Sequence, residues 1–116
     1  MPNPLSIAAG TLASNANIAI DNVTYPGQNF TITCTNGGAI TGVNFDFTSG
    51  GTVGDEIITI ITNSGNTIAL ANGTNSRIPG AGITLAATGS GPVSVIRWIS
   101  NGTNFYVASS SLAMAA

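Results

Sequence analysis

Apolar and polar residues alternate in short runs along this chain, and the alternation has a period of two. Between Asn29 and Thr35, Phe30, Ile32 and Cys34 fall on one side and three threonines on the other, the signature of a half-buried strand. Val43, Phe45 and Phe47 repeat the pattern, with Gly42, Asn44 and Asp46 opposite. The intervening Asn36-Gly37-Gly38 reads as a tight turn, because Asn and Gly accept the positive φ a short hairpin requires. The two runs are therefore expected to pair as an antiparallel hairpin. Shorter runs follow the same rule: Ile18 and Ile20 share a side, as do Ile68 and Leu70, and an Ile83 to Ala87 strand is expected after the loop Arg77 to Gly82.

The pattern changes at Gly54. Ile57, Ile58, Ile60 and Ile61 occupy both sides of one run, so that strand either lies inside a two-layer core or turns its outer side to another subunit. From Val93 to Ile99, the residues Val93, Val95 and Ile99 share a side with Arg97, while Ile96 and Trp98 point the other way. An Asn101-Gly102-Thr103-Asn104 turn leads to Phe105, Tyr106 and Val107, and the resulting hairpin is expected to bring Trp98 near the Phe105/Tyr106 pair. The tetrapeptide Asn72-Gly73-Thr74-Asn75 is identical to that turn. A further turn is expected at Gly89-Ser90-Gly91-Pro92.

No segment shows a helical period with caps at both ends. About eight to ten short strands at intervals of roughly ten residues predict an all-β domain, an antiparallel β-sandwich of jelly-roll type. The domain is expected over residues 15–110. Residues 1–14, proline-bounded and rich in small side chains, read as an N-terminal arm or extended edge segment, and residues 111–116 as a C-terminal tail.

Composition adds a constraint on the surface. Of 116 residues only 5% are charged, there is no Lys or His, and 43% are hydrophobic, where about a quarter of a usual domain is charged. Either amides and hydroxyls keep a free protein in solution, or partners cover much of the subunit. Strand edges without Lys invite pairing with other chains, which favours the covered subunit.

Arg77 and Arg97 are the only cations, too few to neutralise a row of phosphates, so no nucleic-acid partner is expected. No apolar run approaches a membrane span or a signal peptide's hydrophobic segment, and Met1 is followed by Pro2 and Pro4 without basic residues, so a soluble protein made in the cytoplasm is expected. The sequons at Asn22, Asn29, Asn72 and Asn101 occur about as often as chance dictates and say nothing of secretion.

Candidate chemistry is sparse. The single Cys34 excludes an internal disulfide and a cysteine-based zinc site, and reads as a small apolar core residue. Without His, a general base would have to come from Asp21, Asp46, Asp55 or Glu56. The adjacent Asp55 and Glu56 point to opposite faces of a strand and cannot form a carboxylate pair. They read as solvated charges at a strand entrance, or as partners of Arg77 or Arg97 in a salt bridge. Gly50-Gly51-Thr52-Val53-Gly54 precedes a strand and lacks the lysine of a phosphate-binding loop. No metal-ligand spacing stands out, and neither enzymatic activity nor a cofactor is expected. Trp98, Phe105 and Tyr106 could form a sugar-stacking platform or could close a core or subunit interface; the apolar flanks Val95, Ile96 and Ile99 favour closure.

The order Gly-Asp-Glu-Ile-Ile-x-Ile-Ile from Gly54, Ser-Gly-Asn-Thr-Ile-x-Leu-x-Asn-Gly from Ser64, a Pro-Gly loop, Ile-Arg-Trp from Ile96 and Asn-Gly-Thr-Asn-Phe-Tyr from Asn101 resembles a β-domain of tailed-bacteriophage structural proteins. That domain occurs in capsid decoration (cement) proteins and in head and tail fibres, where it forms intertwined homotrimers. Phe105-Tyr106 departs from the family, which often has Trp at the second position. The resemblance implies a homotrimer on the outer capsid surface of a virion, bridging subunits of the major capsid protein; a receptor- or glycan-binding fibre tip is the alternative. Under it, Ile58, Ile60, Ile96, Trp98, Phe105 and Tyr106 are expected at the trimer interface or core. The arm, through Pro2, Pro4, Leu5, Ile7 and Leu12, is expected to meet the shell.

Overall fold

A computed structural model describes residues 5–85 and 92–114. Among these, all regular structure is β. The strands are β1 (Leu5–Thr11), β2 (Asn17–Ile20), β3 (Asn29–Thr35), β4 (Ile40–Phe47), β5 (Glu56–Asn63), β6 (Ile68–Leu70), β7 (Ser76–Arg77), β8 (Thr84–Leu85), β9 (Val93–Ser100) and β10 (Phe105–Met114). They form a large sheet in the order β1-β3-β5-β9-β10-β7 and a small sheet in the order β2-β4-β6-β8.

The first six strands alternate between the two sheets. Each pairs in parallel with the strand two places along the chain, Ile7 beside Ile32 and Ile32 beside Ile61 in the large sheet, Ile18 beside Phe45 in the small one. The chain thus winds as three stacked coils, β1–β2, β3–β4 and β5–β6. At one end of the stack the direction reverses: β9 runs antiparallel to β5, β8 antiparallel to β6, and β10 antiparallel to β9.

This solenoid-like winding replaces the antiparallel jelly-roll sandwich expected from the sequence. β3 and β4 are not a hairpin; they lie in opposite sheets, joined by an arch. Alternation specifies which face of a strand is buried, and both arrangements satisfy it equally. The arch is specified by Asn36, which is buried and bonds to the next coil as well as within its own corner. Its Nδ2 donates to Gly38 O (2.7 Å) and Thr67 O (3.4 Å), and its Oδ1 accepts from Asn66 N (2.8 Å). Asn66 Nδ2 returns a bond to Asn36 O (2.9 Å), and Ser64 N donates to Cys34 O (2.9 Å). Gly37 and Gly38 do not take the positive φ of a hairpin turn. Gly65 lies so close to Asn36 that a Cβ would overlap the Asn36 backbone, which allows successive corners to stack. On the opposite side of the stack buried Asn22 has the same role, donating to Ser49 O (2.9 Å) and accepting from Ser49 N (3.0 Å).

The core fills the space between the sheets. Phe30, Ile32, Ile61 and Ile96 from the large sheet face Ile20, Val43, Phe45 and Ile68 from the small one, all 2% exposed or less. Trp98 is fully enclosed, with edge-on contacts to Phe45 and Phe47 at centroid distances of 5.6 and 5.1 Å. Phe105 packs on Phe47 at 5.0 Å. The aromatic contact expected along the β9–β10 hairpin is thus made across the sheets, with Phe47 between Trp98 and Phe105.

Both ends of the chain extend the sheet beyond the boundaries expected for the domain. Leu5–Thr11, expected as an arm or extended edge segment, is an edge strand packed on the domain: Leu5 and Ile7 pack against the core, Leu12 is buried, and Thr31 Oγ1 donates to Leu5 O (3.3 Å). Its alternation is diluted by Ser6, Ala8, Ala9 and Gly10, which are too small to mark a face. At the other end β10 continues to Met114, past the expected boundary at residue 110, in a bulged register against β9. The predicted Ile83 to Ala87 strand appears as β8 over Thr84–Leu85. Pro2, Pro4 and most of the Gly89 to Pro92 turn lie outside the described residues, as do Ala86 and Ala87.

Candidate functional site

Because β5 and β9 sit in the middle of the large sheet, their outward-pointing residues form the centre of its exposed face. The register sets Ile58 opposite Arg97, Ile60 opposite Val95, Glu56 opposite Ile99 and Thr62 opposite Val93. These side chains are half-buried apart from the more exposed Glu56. Thr31 and Thr33 flank them on β3, and Tyr106 of β10, paired with Ile99, is 43% exposed. The face is a block of branched apolar residues bordered by threonines and one tyrosine, with a single ion pair.

That pair joins Arg97 Nη2 to Glu56 Oε2 at 2.9 Å. The Arg97 hydrogen bond, reinforced by its charge, holds the Glu56 carboxyl below the usual glutamate range, and the same bond raises the Arg97 guanidinium. Of the two cations weighed as partners for the Asp55/Glu56 pair, Arg97 is the one used. Arg77 donates to Gly73 O (2.8 Å) and Ser76 O (2.7 Å) instead. A lowered folded pKa stabilises the fold above the ordinary glutamate value and loses that contribution as pH falls through the depressed one. Glu56→Gln is therefore expected to flatten the loss of stability between about pH 5 and pH 3. Urea midpoints of both proteins across this range test it, and equal acid-side slopes would sink the assignment. Asp21, also lowered, mainly by hydrogen bonds from Thr24, is common to both and cancels in the difference.

The structure divides the six residues expected at the trimer interface or core. Ile58, Ile60 and Tyr106 lie on the outer face. Ile96, Trp98 and Phe105 point inward and are enclosed by the chain itself, at 0 to 1% exposure, which leaves no surface for a partner. The aromatic platform considered for sugar stacking is not formed: Trp98 and Phe105 are in the core and Tyr106 is on the opposite side of the sheet. Val95 and Ile99 complete the outer block and were not singled out for it. Their signal was present in the sequence, since they alternate with Ile96 and Trp98, but nothing before the β5–β9 register placed them beside Ile58 and Ile60.

The remaining carboxylates accept backbone N–H groups, Asp21 and Asp55 within their own turns and Asp46 from a turn 28 residues along the chain. Asp21 Oδ1 accepts from Val23 N and Thr24 N, Asp46 Oδ1 from Thr74 N, and Asp55 Oδ2 from Thr52 N. Cys34 is a buried free thiol, raised by burial, whose Sγ lies 3.9 Å from Asn63 Oδ1. Among the described residues, no group of three or more His, Cys, Asp or Glu side chains converges. Gly50 and Gly51 allow close packing: a Cβ at Gly50 would overlap Thr103 O, and one at Gly51 would press on the Phe105 ring.

No protein-family model, curated protein or solved structure matches this chain.

Proposed function

We propose that this chain is a structural virion protein, a decoration or cement protein that binds the outer surface of a capsid as a homotrimer and stabilises contacts between major capsid protein subunits. The observation that carries the reading is the outer face of β5 and β9. Ile58, Ile60, Val95 and Ile99 form an apolar block, crossed by the Arg97–Glu56 ion pair, on a chain with only six charged side chains, and such a block is most stable when shared between subunits. The motifs from Gly54 to Tyr106 supply the kind of assembly. The carboxylates, occupied in turns and one ion pair, fit a mechanical role. A trimer spanning neighbouring shell subunits binds the assembled state and not the dissociated one, and so stabilises the shell by mass action.

Light scattering coupled to sizing is expected to give a particle containing a multiple of three chains, each of 11.5 kDa. Ile58→Asp with Ile60→Asp, which puts two carboxylates from every subunit into the shared face, is expected to dissociate that contact and to abolish co-sedimentation with capsids. A stable wild-type monomer at micromolar concentration would sink the proposal.

A further inference from the structure

Among the described residues, one end of the coil stack is open in both sheets at once. β1 is the terminal strand of the large sheet and β2 of the small sheet, and they belong to the same coil. Among the described residues neither has a strand partner on its outer side. Natural edge strands are usually blunted by charge, proline, shortness or a covering segment, and solenoids by a polar terminal repeat. Here Leu-Ser-Ile-Ala-Ala-Gly-Thr and Asn-Ile-Ala-Ile contain neither charge nor proline. A single bulge between Ala8 and Gly10 interrupts β1. The opposite end is blunted: β7 and β8 have two residues each, and β10 carries two register shifts.

The core is also incomplete on the β1 side of this end. Leu5, Ile7 and Ala9 occupy the inward positions of β1 yet are only half-buried, whereas Ile18 and Ile20 of β2 and Phe30, Ile32 and Cys34, one coil deeper, are buried. A cleft of about 270 Å³ opens between the edges, lined by Leu5, Ser6 and Ile7 of β1, Ala19 of β2 and the adjacent Asp21, with Tyr25 and Phe30. One more coil stacked here would cover these side chains.

We infer that a second copy of this chain supplies it, the two first coils meeting end to end about a two-fold axis perpendicular to the sheets. That single operation sets β1 against its counterpart and β2 against its counterpart, both antiparallel, and makes both sheets continuous across the contact. An isologous contact of this kind uses one surface patch twice and closes on itself. The molecule measures 36 × 33 × 21 Å, and its smallest cross-section, about 700 Å², sets the scale of an end-on contact, at the lower end of the range of specific interfaces when both copies are counted. The contact uses the end of the stack and is independent of the outer face, so the two surfaces together would build a particle of six chains.

The test is a double variant, Ala8→Lys with Ala19→Lys, which puts a charge on each edge through residues already exposed. The variant is expected to halve the particle mass measured by native mass spectrometry while the strand signal in circular dichroism is unchanged. Six chains become three if the outer-face trimer also forms, and two become one if it does not, so the two readings fail separately. Ser6→Cys or Ala8→Cys is expected to yield covalent pairs on mild oxidation, whereas Val53→Cys, 74% exposed and beside Gly102 in the turn between β9 and β10, is not. An odd number of chains in the wild-type particle, or an unchanged mass in the folded double variant, overturns the inference. So does the absence of cross-linked pairs from both β1 cysteines.

Discussion

Replacing Trp98 with Ala is expected to cost about 3–5 kcal/mol of folding stability, the range for removing a large buried aromatic and leaving its cavity. The side chain is at 0% exposure, and both neighbours it meets edge-on, Phe45 and Phe47, belong to the opposite sheet. Such aromatic pairs contribute about 0.5–1.5 kcal/mol each beyond burial. Truncation also removes the donor for the bond from Nε1 to Thr59 Oγ1, 3.1 Å long and buried. Thr59 Oγ1 retains its own donation to Ile96 O (3.4 Å), so part of that network survives. Domains of this size have stabilities of about 5–15 kcal/mol, and the variant therefore loses about a fifth or more of the total. In urea the midpoint is expected to fall by about 2 M, given a slope near 2 kcal/mol/M. Trp98→Phe, which keeps a ring in the site and loses the donor, is expected to fall between the two. A cost below about 1 kcal/mol for Trp98→Ala would contradict an enclosed Trp98 joining the two sheets.

The second large effect concerns two asparagines that look alike in the sequence. Asn36 and Asn101 each precede a glycine between strand-like runs, and both accept backbone N–H groups. Asn101 does so on the surface, from Thr103 N (2.9 Å) and Asn104 N (3.1 Å), inside its own turn. Asn36 is 3% exposed and spans two coils through Gly38 O, Thr67 O and Asn66 N. Ala at position 36 removes the partners of groups that water reaches poorly, each costing about 1–3 kcal/mol when left unmet. Asn36→Ala is therefore expected to lose about 2–4 kcal/mol and Asn101→Ala about 1 kcal/mol or less. Parallel urea titrations compare them, and equal losses would mean that the arch corner does not hold the coils together.

These two residues also show where sequence reasoning stops. From the alternation alone, Phe30, Ile32, Cys34, Val43, Phe45 and Phe47 were assigned to the buried side, and all six are there. The isoleucines of β5 were legible only as two pairs on opposite faces; that Ile57 and Ile61 are inside and Ile58 and Ile60 outside comes from the structure. A period of two separates the two faces of a strand because the pleat leaves no other choice. It carries no information on which strand lies alongside. The Asn-Gly corner that suggested a hairpin is compatible with an arch, and the difference lies in the bonds that the Asn36 amide makes to the next coil in addition to the one within its own corner.

The outer face was half legible for the same reason. Ile58 and Ile60 could be named from one strand, and Val95 and Ile99 had their orientation but no neighbours. Grouping Trp98, Ile96 and Phe105 with Ile58 and Ile60 joined residues from opposite sides of one sheet. An all-β fold, the separation of the two faces of its longer strands and the scarcity of charge can be read from the residues in order. The parallel winding of the sheets, the place of Leu5–Thr11 and of residues 111–114 in them, and the end of the stack left open among the described residues emerge only from the folded arrangement. Side-chain alternation is a local property of the backbone, whereas pairing and stacking depend on contacts between residues distant in the chain, set here by buried amides and close-packed glycines.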